Sequence, residues 1–203
     1  MLKELTNAQK NMYDTQQFFN NTGICNVGGC ILLNKDTDRF LLEKAINKLL
    51  ENADGLRIRL KIENMIPFQE IEEYNDEKIE FLELDKDKYE DILKKDMNKP
   101  FNITDKLYDF KIIDIGEYIG LYIKLHHIIC DAWSATLVVK KIIEYYELLK
   151  NGEEIIDVIP SYNDFIDNEK TYLNSEKYIS DKEYWEKKYH SKPTYVTMSP
   201  NIN

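Results

Sequence analysis

Two adjacent histidines, His126 and His127, stand in the segment Leu121-Tyr122-Ile123-Lys124-Leu125-His126-His127-Ile128-Ile129-Cys130-Asp131-Ala132-Trp133-Ser134, and His190 is the third histidine of the chain. Imidazole is the side chain that exchanges a proton near neutral pH, so this pair is the candidate for acid–base chemistry. Strand alternation puts Leu121, Ile123, Leu125 and His127 on an apolar side, and Tyr122, Lys124 and His126 on a polar side. If the strand runs through the pair, His127 points inward just before a loop and a helix, and His126 is the neighbour that positions the turn. A lone histidine on an apolar face is more often a satisfied core residue than a catalyst. Two in a row, followed by Asp131 at a strand-to-helix junction, shift the balance toward catalysis. Asp131 is explained by itself as the N-cap of a helix starting near Ala132.

Other chemistries are less well supported. Cys25, Cys30 and Cys130 show no CxxC spacing, and His190 lies in a polar C-terminal stretch, so no metal site is expected. Cys130 falls in an apolar loop, and Ser134 lacks the GxSxG context of a nucleophilic serine.

The elements that must carry these residues follow from periodicity and punctuation. Thr6-Asn7-Ala8-Gln9 opens a predicted helix to about Phe18, with Asn7 or Thr6 as its cap and Gln9 at capping-box spacing from Thr6, ended by Asn20-Asn21-Thr22-Gly23. Cys25 to Leu33 reads as a strand whose Gly28-Gly29 pair implies a bulge or a close backbone approach. Asp38 to Glu51 is an amphipathic helix, and Leu56 to Ile62 alternates strictly as a strand with one apolar face. Shorter strands are expected at 67–71 and 79–84, and a charged helix at 89–97 before Pro100. Strands at 108–115 and 118–126 meet around Gly116-Glu117 as an antiparallel hairpin, and a long helix, Ala132 to Lys150, closes at Asn151-Gly152. Helical patterns recur at 162–172 and 181–189, before a frayed tail to Asn203. No repeat or linker divides the chain. The predicted fold class is α/β, a single two-layer sandwich in which a mixed β-sheet is covered by helices.

The 203 residues include 43% hydrophobic and 12% aromatic side chains, enough for a sizeable core. A formal net charge of −10 without a basic patch argues against nucleic acid and anionic membrane surfaces as partners. The polar start Leu2-Lys3-Glu4-Leu5-Thr6 does not read as a signal peptide, and no apolar run approaches a membrane span. With an odd number of cysteines, these features lead to an expected cytoplasmic location.

The segment from His126 to Ser134 resembles the HHxxxDG motif of nonribosomal peptide synthetase condensation domains, with the Trp-Ser that often follows it. Three further stretches are similar to the family's, in the right order. Leu5-Thr6-Asn7-Ala8-Gln9 resembles its opening Ala-Gln motif, Gly55-Leu56-Arg57-Ile58-Arg59-Leu60 its LRxRF-type strand, and Tyr184-Trp185 the Tyr-Trp that follows its first lobe. The resemblance implies a chloramphenicol acetyltransferase-like fold, of which residues 1–203 are the N-terminal lobe, with the second lobe absent. In the family the active site is a tunnel between two lobes. There the amine of a downstream carrier-bound aminoacyl group attacks an acyl or peptidyl thioester on an upstream carrier. The implied partners are peptidyl or acyl carrier protein domains, the missing C-terminal lobe and adjacent synthetase domains. Substrates ride on the carriers' 4'-phosphopantetheine, and the chain itself is expected to bind no cofactor.

By similarity His127 orients or deprotonates the attacking amine, and His126, Ala132 and Trp133 support the motif. Asp131 is structural in the family, held by an arginine of the LRxRF-type strand; the resemblance favours Arg57, with Arg59 as the fallback. Read from alternation alone, both arginines lie opposite Leu56, Ile58 and Leu60, as a solvated face would. Ala132 stands where the motif has glycine, and half a domain is expected to be inactive alone. The alternatives are a lobe of a coenzyme A-dependent acyltransferase, an epimerization domain, or a degenerate noncatalytic lobe that docks carrier proteins.

Overall fold

Local signals set most element ends in the computed structural model, which describes residues 2–192. After the short strand β1 (Lys3–Glu4), helix α1 (Asn7–Phe18) starts on a complete capping box. The Gln9 N–H donates to Thr6 Oγ1 at 3.3 Å, and the Thr6 N–H donates to Gln9 Oε1 at 2.9 Å. Strand β2 (Asn26–Asn34) leads to α2 (Arg39–Asn52), where Asp38 accepts from the Phe40 and Leu41 N–H groups. A 3-10 turn (Asp54–Arg57) opens onto β3 (Ile58–Glu63) and β4 (Ile66–Ile71). Then come β5 (Glu80–Glu83), α3 (Tyr89–Met97), β6 (Tyr108–Asp114), β7 (Tyr118–His126) and α4 (Ala132–Lys150). Helix α4 closes at Gly152, whose φ of +73° suits glycine, with the Glu153 N–H donating back to Leu148 O at 2.8 Å.

Two sheets result. The larger has strand order β2-β7-β6-β5, with β5 parallel to β6 and the other pairs antiparallel. The smaller, β1-β4-β3, is antiparallel and is a separation that patterning does not reveal. Helices α2 and α4 cover one face of the larger sheet. Leu42, Ile46 and Leu50 from α2, and Ile142 and Tyr145 from α4, join Leu121, Ile123 and Leu125 of β7 in one core. Each such fully buried side chain contributes roughly 1.5–3 kcal/mol. On the opposite face, Tyr122 of β7 packs with Leu93 of α3. Strand β7 is therefore buried on both sides, and even Lys124 is 4% exposed. Its ammonium donates to Asp96 O at 2.9 Å and lies 4.7 Å from the Phe101 ring centre.

Gly28 answers the expectation of a close approach. At φ +146°, a Cβ there would lie 2.0 Å from Ile123 O, yet the β2–β7 register runs without a bulge from Asn26 opposite His126 to Asn34 opposite Tyr118. The expected strand over 56–62 is corrected in two ways. Leu56 and Arg57 belong to the 3-10 turn, and alternation fails within β3, where Arg59 is 4% exposed and Ile62 is 43% exposed. The cause is tertiary: Tyr108, at the start of β6, covers the Arg59 guanidinium, while the far end of β3 runs out beyond the core.

The chain divides into two compact units, Met1–Tyr162 and Asn163–Asn203, a boundary without a sequence marker. Helix α5 (Tyr162–Leu173) begins at that boundary, and α6 (Glu176–Lys188) follows, capped by Ser175 and starting ahead of the expected Asp181. Most of the tail expected after Tyr189 lies outside the described residues.

Candidate active site

The histidine pair sits where β7 ends. The His127 N–H still donates across to Cys25 O at 2.7 Å, just ahead of β2, and there the sheet stops. The chain then turns around His126. The Ile128 N–H donates to His126 Nδ1 at 3.1 Å, the Ile129 N–H to His126 O at 3.0 Å, and the Cys130 thiol reaches the same carbonyl at 3.6 Å. Three groups of one short turn thus close on one residue, and α4 begins immediately after.

The two rings have different surroundings. His126 is 0% exposed, with Nε2 at 3.2 Å from Gln16 Oε1 and the Phe101 ring edge-on at 6.2 Å. Burial, with a smaller contribution from neighbouring His127, pushes its pKa down to about 4. A neutral ring with no solvent contact cannot serve a substrate. His127 is half-buried. The expected parity is thereby corrected: the inward histidine is His126, because α3 and the segment carrying Phe101 cover the face expected to be polar. His127 lies one residue beyond the strand, where alternation no longer sets its direction.

Asp131 is exposed and acts as the N-cap. Its Oδ1 accepts from the Ser134 N–H and the Ser134 hydroxyl, each at 2.7 Å, and these bonds hold its carboxyl below the usual carboxylate range. The expected Asp131–arginine pair is not formed. Arg57 donates instead to the Leu50 and Glu51 carbonyls at the end of α2 and to Glu72 O. Its place in the 3-10 turn puts the guanidinium beside the unsatisfied carbonyls of a helix end. Arg59 pairs with Glu72 Oε2 at 3.1 Å and donates to Ile58 O at 2.8 Å.

Ala132 and Trp133 open α4, both exposed, Trp133 at 72%. Ala132 has ordinary negative φ, so the helical backbone there does not require the motif's glycine. Burial pushes the Cys130 thiol up to about 12, which leaves it a poor nucleophile at neutral pH.

Sequence reasoning missed Gln16 and Phe101. Gln9, Met12, Tyr13 and Gln16 follow the i, i+3, i+4, i+7 spacing of a core-facing stripe, and both glutamines are buried. That spacing was the available signal; glutamine's usual place in solvent masks it. Among the described residues, no three His, Cys, Asp or Glu side chains group as a metal site, and no helix is long and apolar enough to cross a membrane.

The Condensation domain family model matches residues 3–201. Surfactin synthase subunit 1 from Bacillus subtilis (strain 168) is 30% identical over 98% of this chain, which spans 6% of that protein. Tyrocidine synthase 3 from Brevibacillus parabrevis is 26% identical over 89% of this chain, which spans 3% of it. The starter condensation domain of the rhizomide synthetase RzmA superposes with a TM-score of 0.87 at 19% identity, over 95% of this chain and 49% of that one. The first condensation domain of the CDA synthetase gives 0.82 at 18%, over 98% and 53%. The fold is thus shared, and this chain spans about half the length of the solved domains it matches.

Proposed function

This chain belongs to the condensation-domain family, and on that premise we propose that it supplies His127 to an amide-forming condensation between two carrier-bound substrates. It acts as the N-terminal lobe of a two-lobed domain, since its matches cover about half of the solved domains, and a second lobe completes the tunnel. In the reaction, the amine of the acceptor aminoacyl group attacks the donor thioester carbonyl. The C–N bond forms, the C–S bond breaks, and the proton lost by the amine passes by way of the His127 imidazole to the departing phosphopantetheine thiolate. Carrier proteins are the partners, and their 4'-phosphopantetheine carries both substrates.

The observation that carries this reading is the division of labour between the histidines. His126 is sealed, neutral and committed to the turn, while His127 is accessible and pinned through its backbone to Cys25 O. Asp131 caps α4 and so fixes the exit of the same turn. Ala132 is compatible with activity, because its methyl is exposed at a helical position.

The test is His127→Ala in a polypeptide holding both lobes, supplied with loaded donor and acceptor carrier proteins. Amide formation is expected to fall at least 100-fold, with the thermal midpoint unchanged; a rate equal to the parent's would refute the assignment. A second reading, transfer from an acyl-coenzyme A donor, is favoured by the complex of an RzmA starter-domain mutant with C8-CoA. The same assay with acyl-CoA in place of the donor carrier separates the two.

A further inference from the structure

We propose that Gln16 is a positioning residue for His127: it holds His126 in the Nε2–H tautomer, leaving Nδ1 as the acceptor around which the turn that carries His127 is built. The inference rests on the reading of His127 as the catalytic residue.

The hydrogen-bond roles close without a free choice. The Gln16 side-chain NH2 lies 3.2 Å from both Phe19 O and Thr22 O, groups that only accept. The amide orientation is therefore fixed, and Gln16 Oε1 is the atom facing His126 Nε2 at 3.2 Å. An amide oxygen only accepts, so Nε2 carries the proton. At the other side of the ring, the Ile128 N–H only donates, and it points at Nδ1 from 3.1 Å. Both ends demand the same tautomer. The alternative would set the Nε2 lone pair against Oε1 and an Nδ1–H against the Ile128 N–H, inside a ring environment that is 0% exposed.

Gln16 is itself buried, at 5% exposure, and it sits in the last turn of α1, far along the chain from the pair. The three acceptor and donor contacts tie the end of α1, the loop at Thr22 and the end of β7 into one unit. His127 is the residue between the two that this unit grips, His126 and Ile128. A shift in the His126 tautomer would release the Ile128 N–H, open the turn and move the His127 imidazole without touching it. Phe101 packs edge-on against the same ring, with ring centres 6.2 Å apart.

Two measurements test this. In the chain labelled with 15N-histidine, the ring couplings of His126 at neutral pH are expected to show Nε2–H and unprotonated Nδ1; an Nδ1–H ring overturns the inference, whatever any variant does. Gln16→Met keeps length and apolar bulk but removes both roles of the amide. In the two-lobed polypeptide it is expected to lower kcat for amide formation at least 10-fold with KM for the loaded carriers unchanged, and to speed hydrogen exchange at the Ile128 amide. The control is His126→Asn, whose carboxamide oxygen can stand where Nδ1 stood and needs no partner at residue 16. Adding Gln16→Met to His126→Asn is expected to cost no further activity. An equal 10-fold loss in that background would mean that Gln16 serves general packing only, and would overturn the inference. Failure of the catalytic reading is seen separately, as an active His127→Ala protein.

Discussion

Acidification from about pH 7.5 to about pH 5.5 is expected to cost this fold about 1.3 kcal/mol through His126 alone. In the folded chain burial holds the His126 pKa at about 4, against an ordinary value of 6.5. The unfolded chain therefore binds more protons throughout the interval between the two, and its population gains as the pH falls. The stability contributed by the neutral buried ring is fully present above pH 6.5 and is lost as the pH drops toward 4. Full loss across that interval amounts to about 3 kcal/mol, at about 1.4 kcal/mol for each pH unit. No discount for solvent screening applies, since the side chain is 0% exposed. The lowered carboxyls of Asp96, Asp114, Asp131, Asp157 and Asp181 stay ionised throughout this interval; the stability they contribute is lost only at lower pH, as they become protonated, and alike in any His126 variant. The assay is urea unfolding followed by far-UV circular dichroism at both pH values, for the chain and for His126→Asn. The difference between the two proteins is expected to change by about 1.3 kcal/mol as the pH is lowered. Parallel losses in both would show that His126 is not the buried neutral group described above.

Asp131→Ala is expected to lower stability by about 1 kcal/mol, the worth of an N-cap, measured by urea unfolding at neutral pH. A loss of about 3–5 kcal/mol would instead reveal a buried ion pair with an arginine. Gly28→Ala places a methyl 2.0 Å from Ile123 O at a φ of +146°, so the variant is expected to lose more than about 3 kcal/mol or to fail to fold, read from its thermal midpoint. At about pH 8 the Cys130 thiol, held at about 12 against an ordinary 9.0, carries about 1000-fold less thiolate than in the unfolded chain. Alkylation by iodoacetamide, followed by mass spectrometry, is expected to be slower by a comparable factor until urea is added.

Legibility was greatest where one local interaction decides. The capping box at Thr6 and Gln9, the Asp131 cap and the Gly152 closure are each written in a few neighbouring residues, and the structure places them where the sequence predicts. The ends of β7 and α4 fall at the predicted residues for the same reason, and so does the hairpin at Gly116. Arg59 and Ile62 were misread because their burial depends on Tyr108 and on where β3 leaves the core, neither of which alternation can see.

The histidine pair divides in the same way. The sequence by itself determined that a strand ends at His126, next to His127, that Asp131 caps the next helix, and that the chain resembles the condensation domains to whose family it belongs. Only the tertiary structure decided which ring is sealed. That choice depends on α3 and Phe101 covering the second face of β7, and on Gln16 arriving from a helix more than a hundred residues earlier to meet Nε2. Periodicity reports the preferences of one strand, whereas burial and tautomer are set by whatever the rest of the chain packs against it.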